Sequence, residues 1–253
     1  MEFAGKAETT LARPIYEQAC ARWGRQVIRM RKKRCAYCGS DTAPTVDHVV
    51  PRSLYPASKS ASRIQRITVP ACKSCNNGWA DDEAHFRNVI LLCGEQNPVV
   101  HELWEGKTRR ALAEADGRKR ALDLAVQLVP VKTPEGDRHM IYPAKDKRVT
   151  RVVRKIVRGL CHHHNLMSPV LDAQVLVDVH KFVIPPEFLE EMTRGNTDED
   201  VLKYQFGLIE DPDIHSGWLL TFYSRTAFLC IVFKSVEARD RPLAERSAEP
   251  NTA

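Results

Sequence analysis

Two Cys-x-x-Cys pairs, Cys35-Ala-Tyr-Cys38 and Cys72-Lys-Ser-Cys75, constrain this chain more than any other feature of it. Each pair closes a tight knuckle, and two knuckles can bring four thiolates to the corners of a tetrahedron around one zinc ion. A redox Cys-x-x-Cys normally comes once and within a βαβ context, so two pairs in one chain favour metal. Gly39, directly after the first pair, suits the turn. Such a zinc site is closed, so the zinc would hold the fold and leave chemistry to other residues. The segment 35–75 reads as loop-rich, and metal binding there supplies folding energy that a small core cannot. The remaining cysteines, Cys20, Cys93, Cys161 and Cys230, stand singly and read as buried hydrophobes.

Between the knuckles lies Thr45-Val46-Asp47-His48-Val49-Val50-Pro51-Arg52, and Asn76, Asn77 and Gly78 follow the last cysteine. A neutral imidazole titrates near physiological pH and can take a proton from water. A carboxylate and an amide oxygen are hard donors for Mg²⁺ or Mn²⁺. Taken singly, Asp-His is an ordinary surface pair and Asn76 an ordinary helix cap. Taken in order, the two cysteine pairs, Asp-His-Val-Val-Pro and Cys75-Asn76 resemble the HNH endonuclease family in its four-cysteine form.

The resemblance implies a ββα-metal finger with Asp47-His48 on its first strand and Asn76 on its helix. It also implies metal-dependent hydrolysis of phosphodiester bonds in nucleic acid, with double-stranded DNA as the expected partner. His48 would be the general base, Asp47 and Asn76 would hold one catalytic Mg²⁺ or Mn²⁺, and Cys35, Cys38, Cys72 and Cys75 would hold the structural zinc. Arg52, just after the proline, is a candidate phosphate contact. Adjacent residues on a strand point to opposite sides, so β structure here must twist or bulge for Asp47 and His48 to flank one phosphate. Two departures stand out. Ile67 occupies the place where many such fingers carry an asparagine that orients the active-site loop, leaving Asn77, Thr45 or a backbone group as substitutes. Trp79 and the acidic run Asp81, Asp82, Glu83 replace the lysine usual after Cys-Asn; they read as helix capping or solvation, with reach to the metal as the other reading.

A net charge of +6 says little about partners, but its distribution says more. Arg22, Arg25, Arg29, Arg31, Lys32, Lys33 and Arg34 crowd the approach to the first knuckle, where Arg29, Arg31, Lys32 and Lys33 can track a phosphate backbone. Ile15, Ala19, Trp23, Val27 and Met30 recur at helical steps, predicting an amphipathic helix over 13–33. Helices are further expected over Ser74–Leu92 and Val99–Ala115, with a boundary at Asp116–Lys119. Beyond it, Ala125–Val131, Val175–Val183 and Ala227–Phe233 read as strands, and Val149, Val152, Val153, Ile156, Val157 and Leu160 as the apolar stripe of a helix packed on a sheet.

The expected class is therefore α+β: a basic N-terminal helix (1–34), a zinc-stapled finger with following helices (35–118), an α+β C-terminal domain (119–237) and a mobile tail (238–253). No apolar run is long enough for a membrane helix and the N-terminus lacks a signal core, so a cytoplasmic location and no membrane partner are expected. The C-terminal part is the place for a homodimer contact or a regulatory partner. Cys161-His162-His163-His164 follows a helix whose end favours cations, which accounts for it without a second metal. The rival reading of the whole is a non-catalytic zinc module that binds nucleic acid or is purely structural.

Overall fold

Two short strands carry the segment between the knuckles. β1 (Thr45–His48) runs antiparallel to β2 (Thr68–Ala71), with Thr45 opposite Ala71 and His48 opposite Thr68. β1 buries Asp47 and exposes Val46, the reverse of the usual apolar-in pattern, so the carboxylate must find partners inside. The structure, a computed structural model, describes residues 33–61, 66–92, 97–132, 138–141, 146–179 and 186–241. The expected basic helix, with Arg29, Arg31 and Lys32, lies outside the described residues; Lys33 is exposed.

After the second knuckle come α1 (Lys73–Asn77) and α2 (Ala80–Leu92). The single helix expected over Ser74–Leu92 is broken at Gly78, whose N–H closes on the Ser74 carbonyl, and Trp79 turns inward beside Tyr37. Burying a large side chain is worth about 1.5–3 kcal/mol, more than the propensity lost at one helical break. α3 (Pro98–Leu103) starts at Asn97, whose side chain accepts from the Val100 N–H. A π-helical turn at Trp104–Thr108, kinked at Gly106, leads into α4 (Arg109–Ala113). The boundary expected at Asp116–Lys119 and the strand expected at Ala125–Val131 are corrected: Ala115–Ala125 forms helix α5, and the strand β3 spans Val129–Lys132, paired with β4 (Arg138–Ile141). Alanine, leucine, arginine and lysine are strong helix formers, and Gly117 among them costs only about 1 kcal/mol.

α6 (Lys147–His163) is capped by the Asp146 carboxylate, which accepts from the Arg148 and Val149 N–H groups. Its stripe of Val149, Val152, Val153, Ile156, Val157 and Leu160 is buried, as the spacing predicts. The helix packs against α2 and β2 and against the large sheet that follows. That sheet consists of β5 (Val175–Val179), β6 (Thr193–Arg194), β7 (Leu202–Leu208), β8 (Ile214–Phe222) and β9 (Thr226–Phe233), with α7 (Pro186–Glu191) between its first two strands in sequence. All pairings are antiparallel, in the order β5-β9-β8-β7-β6. Alternation is clean in β8, where Ser216, Trp218, Leu220 and Phe222 are buried. Phe86 of α2 meets Phe222 and Phe228 at ring-centroid distances of 5.2 and 6.2 Å, so finger and sheet share one core. The class is α+β.

A short helix α8 (Val236–Asp240), capped by Ser235, buries Ala238, and Arg239 donates to the Ala173 carbonyl at 2.6 Å. Packed structure therefore extends past residue 238, where the tail was expected to begin. Among the described residues no helix is long and apolar enough to cross a membrane.

Candidate metal centre and active-site cleft

The first knuckle is shaped by the Cys35 N–H bonding the Ser40 carbonyl and the Gly39 N–H returning to the Cys35 carbonyl, both at 2.9 Å. Gly39 has φ +74°, a left-handed conformation that glycine takes without strain. The Ala36 N–H bonds the Pro70 carbonyl and ties this knuckle to β2. In the second, Cys72 precedes α1 and Cys75 lies within it. The result brings the sulfurs of Cys35, Cys38, Cys72 and Cys75 within 4.8 Å of one another, with Cys38 Sγ and Cys72 Sγ 3.8 Å apart. Zinc–sulfur bonds of about 2.3 Å in a tetrahedron set sulfur–sulfur edges near 3.8 Å, so the cluster fits zinc. Its protons are unequal. The Ser74 hydroxyl and then the Cys75 N–H hold the Cys72 thiol down to about 6, while burial pushes the Cys75 thiol up. A divalent cation removes that conflict by favouring the thiolate at every sulfur.

Asp47 projects from β1 into the interior. Its Oδ2 accepts from the Tyr37 hydroxyl at 2.6 Å and pairs with Lys155 Nζ at 2.9 Å. Burial and the Asp47 charge push the Tyr37 hydroxyl well above its ordinary range, so it stays a donor. Lys155, on α6, has a side chain only 1% exposed and also donates to Glu83 Oε1 at 2.6 Å and to the His48 carbonyl at 3.1 Å. Burial raises the Glu83 carboxyl above its ordinary value, opposed by the Lys155 ammonium.

His48 ends β1, half-buried. Its imidazole is pushed below the ordinary histidine value by burial first, then by the positive Arg52 and Arg66. Nδ1 is buried without a hydrogen-bond partner among the described residues, and a ring carrying two protons would leave an N–H unbonded there. The neutral form is thereby favoured. One cleft of about 450 Å³ is lined by His48, Asp47, Arg52, Asn76, Asn77 and Glu83, with β1 ending at His48 so that both members of the pair reach it. The structure thus brings together His48, Asp47, Asn76 and Arg52; it leaves exposed Lys33 outside the cleft lining.

A second cavity of about 450 Å³ lies elsewhere along α2, lined by Asp81, His85, Asn88, Arg120, Asp123 and Arg148 among others. His85 there pairs with the capping carboxylate of Asp146 at 2.8 Å, and none of the expected active-site residues lines it. At the end of α6, His162 bonds Ser168, and His164 bonds the Tyr204 hydroxyl and packs on Phe206. Sequence reading missed Lys155 and Tyr37 altogether and read Glu83 as a capping or solvated residue. The unread signal for Lys155 is a lysine within the inward stripe of an amphipathic helix, between Val152 and Gly159. Comparison with protein-family models, with curated proteins and with solved structures finds no match for this chain.

Proposed function

We propose that this chain is an HNH-type endonuclease that hydrolyses phosphodiester bonds in nucleic acid, most readily double-stranded DNA. The observation that carries the reading is the single cleft shared by a neutral-favouring His48, the Asp47 carboxylate, Asn76 and Arg52 beside a four-thiol cluster. In this reading His48 accepts a proton from water as the water oxygen bonds to phosphorus and the P–O3′ bond breaks. The proton then returns to the leaving oxygen or to solvent. Arg52 offers positive charge to the phosphate at the cleft edge.

Asp47 Oδ1 and the Asn76 side-chain oxygen would hold a Mg²⁺ or Mn²⁺ ion, and two protein oxygens suit a cation that keeps several waters. Bound there, the cation would neutralise charge developing on the phosphate. The Lys155 ammonium on Asp47 Oδ2 leaves Asp47 to bind through one oxygen. The same ion pair favours the second reading, a zinc module that binds nucleic acid without cutting it, because Asp47 already has a counter-charge.

Purified protein assayed on single- and double-stranded DNA and RNA with Mg²⁺ or Mn²⁺ separates the two. Cleavage by wild type and a rate lowered about 10² to 10⁴-fold in His48→Ala, with nucleic-acid binding retained, are expected. Binding without cleavage on every substrate and with either cation establishes the module reading instead.

A further inference from the structure

We propose that Lys155 is the positioning residue of the cleft, an inference that rests on the nuclease reading above for its effect on rate. β1 is only four residues long, and the chain bends away from it directly after His48. The Val49 N–H still reaches the Ile67 carbonyl at 3.1 Å, but the Ile67 side chain is apolar and adds no further hold on this turn. Lys155 supplies one from outside the finger. A single ammonium grips the His48 carbonyl on the backbone and the carboxylates of Asp47 and Glu83 at 3.1, 2.9 and 2.6 Å. Strand end and helix α2 are thus fastened to one point on α6.

A second, independent contact shows how closely α6 meets this segment. A Cβ added at Gly159, one turn after Lys155, would lie 2.8 Å from Val49 Cγ2 and 3.0 Å from Val49 Cγ1. Only a residue without a side chain lets the helix lie this near the residue after His48. Beside it, Arg158 donates to the Tyr37 carbonyl at 2.6 Å, inside the first cysteine pair. One helix therefore references both the knuckle and the strand end. Stability alone is a poor reason for a buried charge cluster here, because replacing a whole buried ion-pair network by apolar residues of similar size is often neutral or stabilising. Removing Lys155 alone, by contrast, strands the carboxylates of Asp47 and Glu83.

The test uses the zinc-loaded 253-residue chain carrying Lys155→Met or Lys155→Arg. Hydrogen exchange at the amides of 46–50, zinc content, DNA affinity and single-turnover cleavage with Mg²⁺ are compared with wild type. Lys155→Met should keep its zinc and its DNA affinity, exchange faster at 46–50, and cleave about 10²-fold more slowly, the scale of a misplacement near 1 Å. Lys155→Arg, which keeps charge and donors, should recover part of both. Unchanged exchange at 46–50 in Lys155→Met overturns the proposal, as does unchanged cleavage by a wild type that cuts. If wild type cuts nothing yet exchange rises, the positioning role stands and the nuclease reading falls. Should Lys155→Met not fold, Gly159→Ala provides the same test: it should loosen 46–50, and adding Val49→Ala should restore it. Wild-type exchange in Gly159→Ala would then overturn the proposal.

Discussion

His48 is half-buried beside Arg52, Arg66 and Lys155, with Nδ1 unbonded among the described residues, and these conditions oppose its protonated form. The unfolded chain, with an ordinary imidazole near about 6.5, takes up that proton first on acidification. As pH falls below that value the unfolded state binds more protons than the folded one, so stability declines across the window down to the lowered folded pKa. His162, His164 and His215 are lowered by burial too and share this loss. His48→Gln should therefore lose less melting temperature than wild type between about pH 7.5 and 5, and equal losses would contradict the lowered imidazole. In the nuclease reading the same lowering keeps the base neutral further into acid, placing the acid limb of the pH–rate profile below about 6.5. Tyr37 gives a second residue-scale expectation. Removing its hydroxyl leaves Asp47 Oδ2 with Lys155 alone. Tyr37→Phe should cost about 1.5–3 kcal/mol in denaturant unfolding, the range for a hydrogen bond to a charged group.

Elements here are ended by tertiary demands more often than by local ones. α1 stops at Gly78 so that Trp79 can enter the core, where Arg151 also stacks on its ring at 4.6 Å. The first knuckle depends on Gly39, whose added Cβ would lie 3.1 Å from Pro169 Cγ in a left-handed backbone. Gly39→Ala should cost about 1–2 kcal/mol, read from denaturant midpoints, because a side chain at that conformation is strained. The knuckles themselves are held by four sulfurs, of which Cys38 is exposed and Cys35 buried. Cys38→Ser should lose zinc, measured by metal analysis, and expose the amides of β1 and β2 to exchange. A zinc-free protein whose β1 and β2 stay protected would remove the metal from the account of the fold.

From Lys33 onward the chain forms one compact unit, and the residue 118 boundary expected from sequence falls inside α5. The finger's Val49, Leu54, Val69 and Phe86 lie in the same core as Val152, Ile156, Trp218 and Phe228. A fragment 33–118 with zinc lacks α6 and the sheet, and so leaves Phe86 without Phe222 and Phe228, Asp47 without Lys155 and the Tyr37 carbonyl without Arg158. It should give a poorly dispersed amide spectrum, whereas 33–253 should be well dispersed. The basic run before the finger belongs to this scale as well, because its effect on a polyanion is additive and long-ranged. Replacing Arg29, Arg31, Lys32 and Lys33 by glutamine should flatten the salt dependence of duplex binding by roughly 0.9 in log-log slope for each phosphate that is no longer neutralised. An unchanged slope assigns the run to solvation.

The cysteine spacing, the Asp-His-Val-Val-Pro segment and the stripe of α6 were legible in the sequence because each is local: a knuckle, a strand and a helical face are set by residues a few positions apart. The same locality explains what was misread. Asp116–Lys119 looks like a break and Ala125–Val131 like a strand, but the run of strong helix formers in Ala115–Ala125 makes a largely exposed helix that outweighs the turn signal of Asp116-Gly117. β8 carries Leu219 beside Leu220 in sequence, and only its pairing with β7 and β9 decides that Ser216, Trp218, Leu220 and Phe222 face the core. Lys155 stands 107 positions after His48 in the chain, and nothing in either segment names the other. Its role follows from a buried charge needing opposite charge within hydrogen-bonding reach, and which carboxylates meet that need is a property of how α6 lies across the finger.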